Sequence, residues 1–129
     1  MRQAPKVTKL KLKRKSRVLE VAFETGETAQ LACELLRVCS PSAEVHGHGN
    51  PQLVTNKREV NINKIEPVGK YAVKLVFDDG HDSGLYSWDV LYSFAMNQGQ
   101  MWEEYLTRLK AAKGSREPLL DVKIHYSDK

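Results

Sequence analysis

The side chains of this 129-residue chain best suited to chemistry near neutral pH are its four histidines, His46, His48, His81 and His125. His46 and His48 stand in the segment HGHG. Residues two apart in extended chain point the same way, so this pair offers two imidazoles to one metal ion. Two imidazoles without a fixed third ligand make a weak site, and solvated loop histidines are the favoured reading. With His81 added, the three form the candidate metal set, for which zinc or iron would be the ion. His81 sits in DDGHD, among Asp78, Asp79 and Asp82. A histidine between carboxylates has the composition for acid–base work or cation binding, but acids in turns more commonly cap local backbone amides, and that reading is preferred here. Arg37 lies two residues before Cys39, a proximity that would lower a thiol pKa. There is no phosphate-cradling glycine loop, no HExxH and no nucleophile elbow. No catalytic constellation emerges, so the chain reads as non-enzymatic, with no cofactor predicted.

The elements that must position these residues follow from pattern. In Val73–Trp88 (VKLVFDDGHDSGLYSW) an apolar strand runs to a turn on Asp79-Gly80, a second strand returns, and Ser87 offers an N-cap for a helix opening at Trp88. The same design occurs 54 positions earlier in Leu19–Leu36, where strand Leu19–Phe23 turns at Glu24-Thr25-Gly26 and returns through Thr28–Ala32. This offset matches Phe23 with Phe77, Gly26 with Gly80, Glu27 with His81, Leu31 with Leu85 and Cys33 with Ser87. If Leu19, Val21 and Phe23 face the core, a two-residue turn would point Leu31 the wrong way. A three-residue loop with glycine in the left-handed region and a bulge restores the parity in both hairpins. The same parity puts His81, Ser83 and Leu85 on the side of Phe77.

Elsewhere, Thr8–Lys13 alternates strictly, with Leu10 and Leu12 opposite Lys9, Lys11 and Lys13, as a half-buried strand does. Glu34–Val38 reads as one or two helical turns, and Ser40–Asn50 (SPSAEVHGHGN) as a surface loop. Lys57–Asn63 reads as a short strand with Val60 and Ile62 inward, followed by a turn on Glu66-Pro67-Val68-Gly69. A helix from Trp88 carries Leu91, Tyr92 and Ala95 and stops at Gly99; a second carries Trp102, Tyr105, Leu106 and Leu109 to Gly114. Residues 115–129 read as a flexible tail.

Residues 1–17 hold eight cations and no acid, leaving 12 cations against 16 acids in the remainder. A mildly acidic body thus carries a basic leading edge. The lysines suit the outer face of an edge strand, where they discourage pairing with other chains. The competing reading is a phosphate-binding stripe for nucleic acid, disfavoured because no aromatic residue interleaves the cations. No apolar run approaches the roughly 18 residues of a membrane span, and the basic start leads into no secretory hydrophobic stretch. Two cysteines, Cys33 and Cys39, read as reduced thiols in a cytoplasmic protein.

Taken together, LKRKSRVLEVAFETGE, LRVCSPSAEVHGHG (Leu36–Gly49) and REVNINKIEPVGKYAVKLVFDDGHDSGLYSWDVLY (Arg58–Tyr92) resemble the bacterial DUF971 family, over roughly residues 8–95. That family is similar to the amino-terminal domain of gamma-butyrobetaine hydroxylase. In the hydroxylases the domain precedes an iron- and 2-oxoglutarate-dependent catalytic domain that 129 residues have no room for, so the oxygenase activity does not transfer. The resemblance further implies a zinc site of three cysteines and a histidine. Its cysteine positions fall at Ser40, Ser42 and Val45, and its histidine at His81. Three of the four ligands are therefore missing. The module is also similar to a region appended to certain P-loop iron–sulfur carrier proteins. That company implies an accessory role toward metalloproteins.

The expected fold is α+β, a small antiparallel domain of two similar hairpin–helix units with C-terminal helices. Its expected parts are a flexible basic N-terminus (1–7), the family domain (8–98), a packed helix (99–114) and the tail. The expected function is a non-catalytic accessory domain in iron–sulfur or metalloprotein maturation, with a protein partner and no membrane. Its interaction surface is expected at Ser40, Ser42, Glu44, His46, His48, Asp79 and His81.

Overall fold

Alternating apolar and polar residues dictate the first three elements. In the computed structural model, which describes residues 4–42 and 53–118, β1 (Val7–Lys13), β2 (Val18–Phe23) and β3 (Thr28–Ala32) form an antiparallel sheet in the order β1-β2-β3. Leu19, Val21, Phe23 and Leu31 are buried. Burying each such side chain stabilises the fold by about 1.5–3 kcal/mol, which fixes which face turns inward. The short helix α1 (Cys33–Val38) follows directly. A second antiparallel sheet, β4 (Ile62–Val68), β5 (Ala72–Phe77) and β6 (Leu85–Ser87), then leads into the long helix α2 (Trp88–Ala112). The chain is thus α+β, built of two strand–strand–strand–helix units.

The units share more than their hairpins. Each leading strand carries an irregularity at one place, between Val7 and Lys9 in β1 and between Ile62 and Lys64 in β4. Each helix opens with its first amide bonded to the turn before the middle strand: Cys33 N–H to the Arg17 carbonyl (2.9 Å) and Trp88 N–H to that of Tyr71 (2.8 Å). Both hairpin loops have the three-residue form that parity required. Phe23 N–H donates to the Glu27 carbonyl and Gly26 N–H to that of Phe23, both at 2.9 Å; Phe77 N–H donates to His81 (2.9 Å) and Gly80 N–H to Phe77 (3.1 Å). Gly26 and Gly80 hold φ of 92° and 93°, a region that penalises any residue with a Cβ. One core joins the units, drawing on β2, β3, α1, β4, β5, β6 and α2.

The repeat fails at one point. Phe77 faces His81 but Lys74 faces Leu85, so the returning strand uses four steps against three, whereas Phe23–Leu19 and Glu27–Leu31 run step for step. The extra residue falls within Asp82–Gly84 and reverses parity beyond it. Leu85, expected inward, is 50% exposed, and Tyr86 is fully buried opposite Val73. Leu31 therefore corresponds to Tyr86, and Cys33 to Trp88.

Three other expectations are revised. The strand predicted over Lys57–Asn63 begins only at Ile62 and runs through Pro67 to Val68, with the turn at Gly69. Pro67 is tolerated because β4 is an edge strand; Val60 and Ile62 are buried as expected. The two predicted C-terminal helices are one. Leu91, Phe94, Tyr105 and Leu109 are buried along it, with Met101 and Trp102 packed on the core between them, so the inward stripe passes Gly99 unbroken. Gly99 is exposed, and the helix ends at Lys113 in the left-handed conformation, with Gly114 N–H bonding the Leu109 carbonyl at 2.8 Å. Finally, residues 115–118, expected to begin a loose tail, are tied down. Arg116 makes a two-pronged ion pair with buried Glu34, both bonds 2.8 Å, and lies 4.8 Å from the Trp102 ring. Residues 119–129 lie outside the described chain. Among the described residues no helix is long and apolar enough to cross a membrane.

Candidate functional site

The second hairpin turn projects Asp79 and His81 toward the end of α1. Asp79 Oδ1 accepts the His81 backbone N–H (3.0 Å), closing the turn as an aspartate cap. Its Oδ2 accepts from Arg37 Nε and Lys57 Nζ, both at 2.7 Å. Burial alone would raise the Asp79 pKa, but Lys57, the His81 amide and Arg37 outweigh it and hold the carboxyl down at about 2. Asp78 Oδ1 likewise accepts the Asn61 N–H, at 3.1 Å.

Beyond this ion cluster lies a buried polar one. His81 is 6% exposed, its ring tilted against Phe77 at 6.1 Å, and its Nε2 is 2.9 Å from the hydroxyl of fully buried Ser40. Ser40 Oγ also accepts the Ser42 N–H (3.2 Å), and Ser42 Oγ lies 2.6 Å from Ser83 Oγ. Tyr86, brought inward by the parity change, donates its hydroxyl to the Leu36 carbonyl at 2.5 Å. Gly84 makes the approach feasible, since a Cβ there would stand 2.4 Å from Ser40 Oγ and 3.0 Å from the Tyr86 ring. The segment after α1 is thereby pinned to the second hairpin by side chains about forty residues away in sequence. Pattern reading over a window of roughly ten to twenty residues has no access to such pairs.

Ser40 and His81 have the composition of a nucleophile and its base, but the hydroxyl has no exposed surface and both partners are bonded into the fold. The thiols are no better poised. Burial pushes Cys39 up to about 11, with Arg108 opposing it, and burial also raises Cys33 to about 11. Arg37, two residues before Cys39 in sequence, does not lower the thiol, because its guanidinium is turned to Asp79.

The structure brings together Ser40, Ser42 and His81, three of the four positions at which the family resemblance places zinc ligands. They do not fit a thiolate zinc centre. Neutral hydroxyls replace charged sulfur ligands, and the Ser40 hydroxyl already bonds His81 Nε2. Val45, Glu44, His46, His48 and His125 lie outside the described residues, and among the described residues no three of His, Cys, Asp or Glu are grouped for a metal. Of the expected interaction surface, Ser40, Ser42 and His81 are buried, whereas the Asp79 turn is at the surface. Of the lysine stripe, Lys13 is paired to Glu20 at 2.9 Å, while Lys9 and Lys11 are exposed on an edge strand. Sequence reading missed Lys57, Tyr86 and Gly84 as parts of this cluster. The glycine before a predicted inward strand was the available signal.

Comparison with known proteins agrees with this architecture. The family described as gamma-butyrobetaine hydroxylase-like, N-terminal, matches residues 10–92. The chain is similar to a protein solved in solution by NMR, at 69% identity and TM-score 0.80, over 97% of this chain and 95% of that one. A second NMR structure shares 42% identity at TM-score 0.80, over 98% and 100%. A crystal structure from Acidithiobacillus ferrooxidans ATCC 23270, of a DUF971-family protein of unknown function, shares 38% identity at TM-score 0.58 over 67% and 88%. No curated protein matches the chain.

Proposed function

We propose a non-catalytic, protein-binding role in the cytoplasm for this chain, which belongs to the gamma-butyrobetaine hydroxylase-like N-terminal family. The partner class is a metalloprotein, with iron–sulfur or other metal-cofactor maturation as the setting. The observation that carries this reading is the buried Ser40–His81 pair. The residues richest in chemistry serve as a pin between the end of α1 and the second hairpin. Three open clefts are lined by none of them. A fold that spends its histidine on rigidity suits a scaffold that presents surface. The metalloprotein setting rests on the family's domain company.

The test is capture from native lysate with tagged protein, followed by metal analysis of what co-purifies. Replacing Glu44, His46 and His48 together is expected to leave the melting temperature unchanged and to reduce capture of a metal-containing protein. Capture indifferent to those substitutions, or of no metalloprotein, refutes the reading. Elemental analysis of the untagged protein, with His81→Ala as control, reads directly whether His46, His48 and His81 hold zinc or iron.

A further inference from the structure

The first hairpin turn borders a cleft of about 670 Å³ between the N-terminal segment and the first turns of α2. Three carboxylates line it, from Glu24, Glu27 and Asp89, and no ion pair among the described residues neutralises any of them. Among the described residues, Glu24 accepts the Lys6 backbone N–H (2.9 Å), and Glu27 accepts neutral hydroxyls from Thr25 (2.9 Å) and Tyr92 (3.4 Å). The apolar part of the cleft's lining is Ala4, Pro5, Tyr92 and Met96. Tyr92 stands edge-on to Phe23 at 5.2 Å, and Met96 is 53% exposed. A second cleft of about 430 Å³ shares Ala4 and Asp89 with the first and adds Lys6, Trp88 and Tyr71, the last 60% exposed. Two of the four large apolar side chains most exposed in the described protein therefore lie along adjoining clefts lined by three acids and one lysine.

We infer that this groove docks a basic amphipathic segment of a partner protein, its cations meeting Glu24, Glu27 and Asp89 and its apolar side chains meeting Tyr92 and Met96. Charge complementarity selects the partner: unneutralised carboxylates around an exposed methionine and tyrosine favour lysine or arginine beside aliphatic groups. The inference rests on the protein-binding reading above and adds a face distinct from the segment after α1. A second copy would have to offer its own Lys9–Lys11 edge. That contact joins unlike surfaces and would give open-ended association.

The experiment titrates isotopically labelled full-length protein with a synthetic amphipathic lysine–leucine peptide, following backbone amide shifts by NMR. A glutamate–leucine peptide and a lysine–serine peptide serve as controls. The expected result is shifts confined to Glu24–Glu27, Tyr71 and the Asp89–Asn97 turns, weaker binding at higher salt, and no shifts with the glutamate peptide. The lysine–serine peptide, lacking apolar groups, should bind measurably more weakly. Glu24→Gln with Glu27→Gln should weaken binding about tenfold with unchanged melting temperature. Met96→Ser, which spares the charges, should weaken it without altering the salt dependence. Shifts centred elsewhere, equal binding of the glutamate peptide, or indifference to these variants overturns the inference. So does concentration-dependent sedimentation that the Gln variants abolish, which would assign the groove to a second copy. Lysate capture that still depends on Glu44, His46 and His48 would show the groove inference failing alone.

Discussion

The turn at Glu24–Glu27 and the turn at Asp78–His81 share one backbone form and have opposite surroundings. In both, a glycine at φ near 92° closes a three-residue loop with matching hydrogen bonds. The second turn, exposed over Asp78–Gly80, is then covered at His81. Asp79 is held by Arg37 and Lys57, and His81 is buried against Ser40. The first is open, its glutamates lining a cleft and held in no ion pair among the described residues. Covering requires a neighbour. The end of α1 supplies Arg37 and Ser40 to the second hairpin, while the first meets the exposed flank of α2 at Tyr92. The lesson is that hairpin form is set locally, whereas whether a turn becomes core or surface depends on which element packs beside it.

This contrast is breakable at several strengths. The largest effect is expected at His81. Replacing it with Ala leaves the buried Ser40 hydroxyl short of a partner and opens a void, a loss of about 3 kcal/mol in urea unfolding. Glu27→Ala at the matching position should cost under about 0.5 kcal/mol. Equal losses would dissolve the distinction between the turns. Next comes Gly84→Ala, whose Cβ would collide with Ser40 Oγ; about 2 kcal/mol is expected from overpacking. Part of that should return when Ser40→Ala is added, and a double variant no better than the single would discount the contact.

Asp79→Asn sharpens the electrostatic half. A carboxyl held at about 2 in the fold, below its ordinary value near 3.9, stabilises the folded state fully above about pH 4. That contribution drains away as pH falls toward 2, the unfolded state binding the proton first. The variant should therefore show a shallower loss of stability between about pH 4 and pH 2 in acid titrations followed by circular dichroism. An unchanged slope would mean the Arg37 and Lys57 contacts do not favour the ionised form. The smallest difference is between Gly26→Ala and Gly80→Ala. Each should cost about 1 kcal/mol for the left-handed backbone, equally in the two turns, since neither Cβ meets a neighbour. A large disparity would show that the loops are not equivalent.

Much of the fold was legible from short-range pattern. Alternation located β1, β2, β3 and β5, and parity required the odd hairpin loop. Ser87 announced its cap, borne out by its hydroxyl accepting the Val90 N–H at 3.1 Å. Gly99 misled because a stop signal for an isolated helix yields when the apolar stripe continues past it onto a core, here through Trp102 and Tyr105. Leu85 misled because a single extra residue inverts every later side chain, and nothing in DSG marks where it falls. Of the site, His81 and Ser40 were legible as positions, and parity put His81 on the side of Phe77. The burial of Ser40 and its bond to His81 were not legible. Lys57 and Tyr86 gave no signal, since neither type nor spacing ties them to a turn so distant.

The sequence by itself determined the two-unit plan and the left-handed glycines, because strand alternation and turn geometry are properties of a few consecutive residues. Only the tertiary structure decided that His81 is sealed against Ser40, that Tyr86 replaces Leu85 in the core, and that Arg116 closes on Glu34. These pairs lie 41 to 82 residues apart or turn on one inserted residue. Their strength comes from desolvation and fit, which exist only once the two units have met.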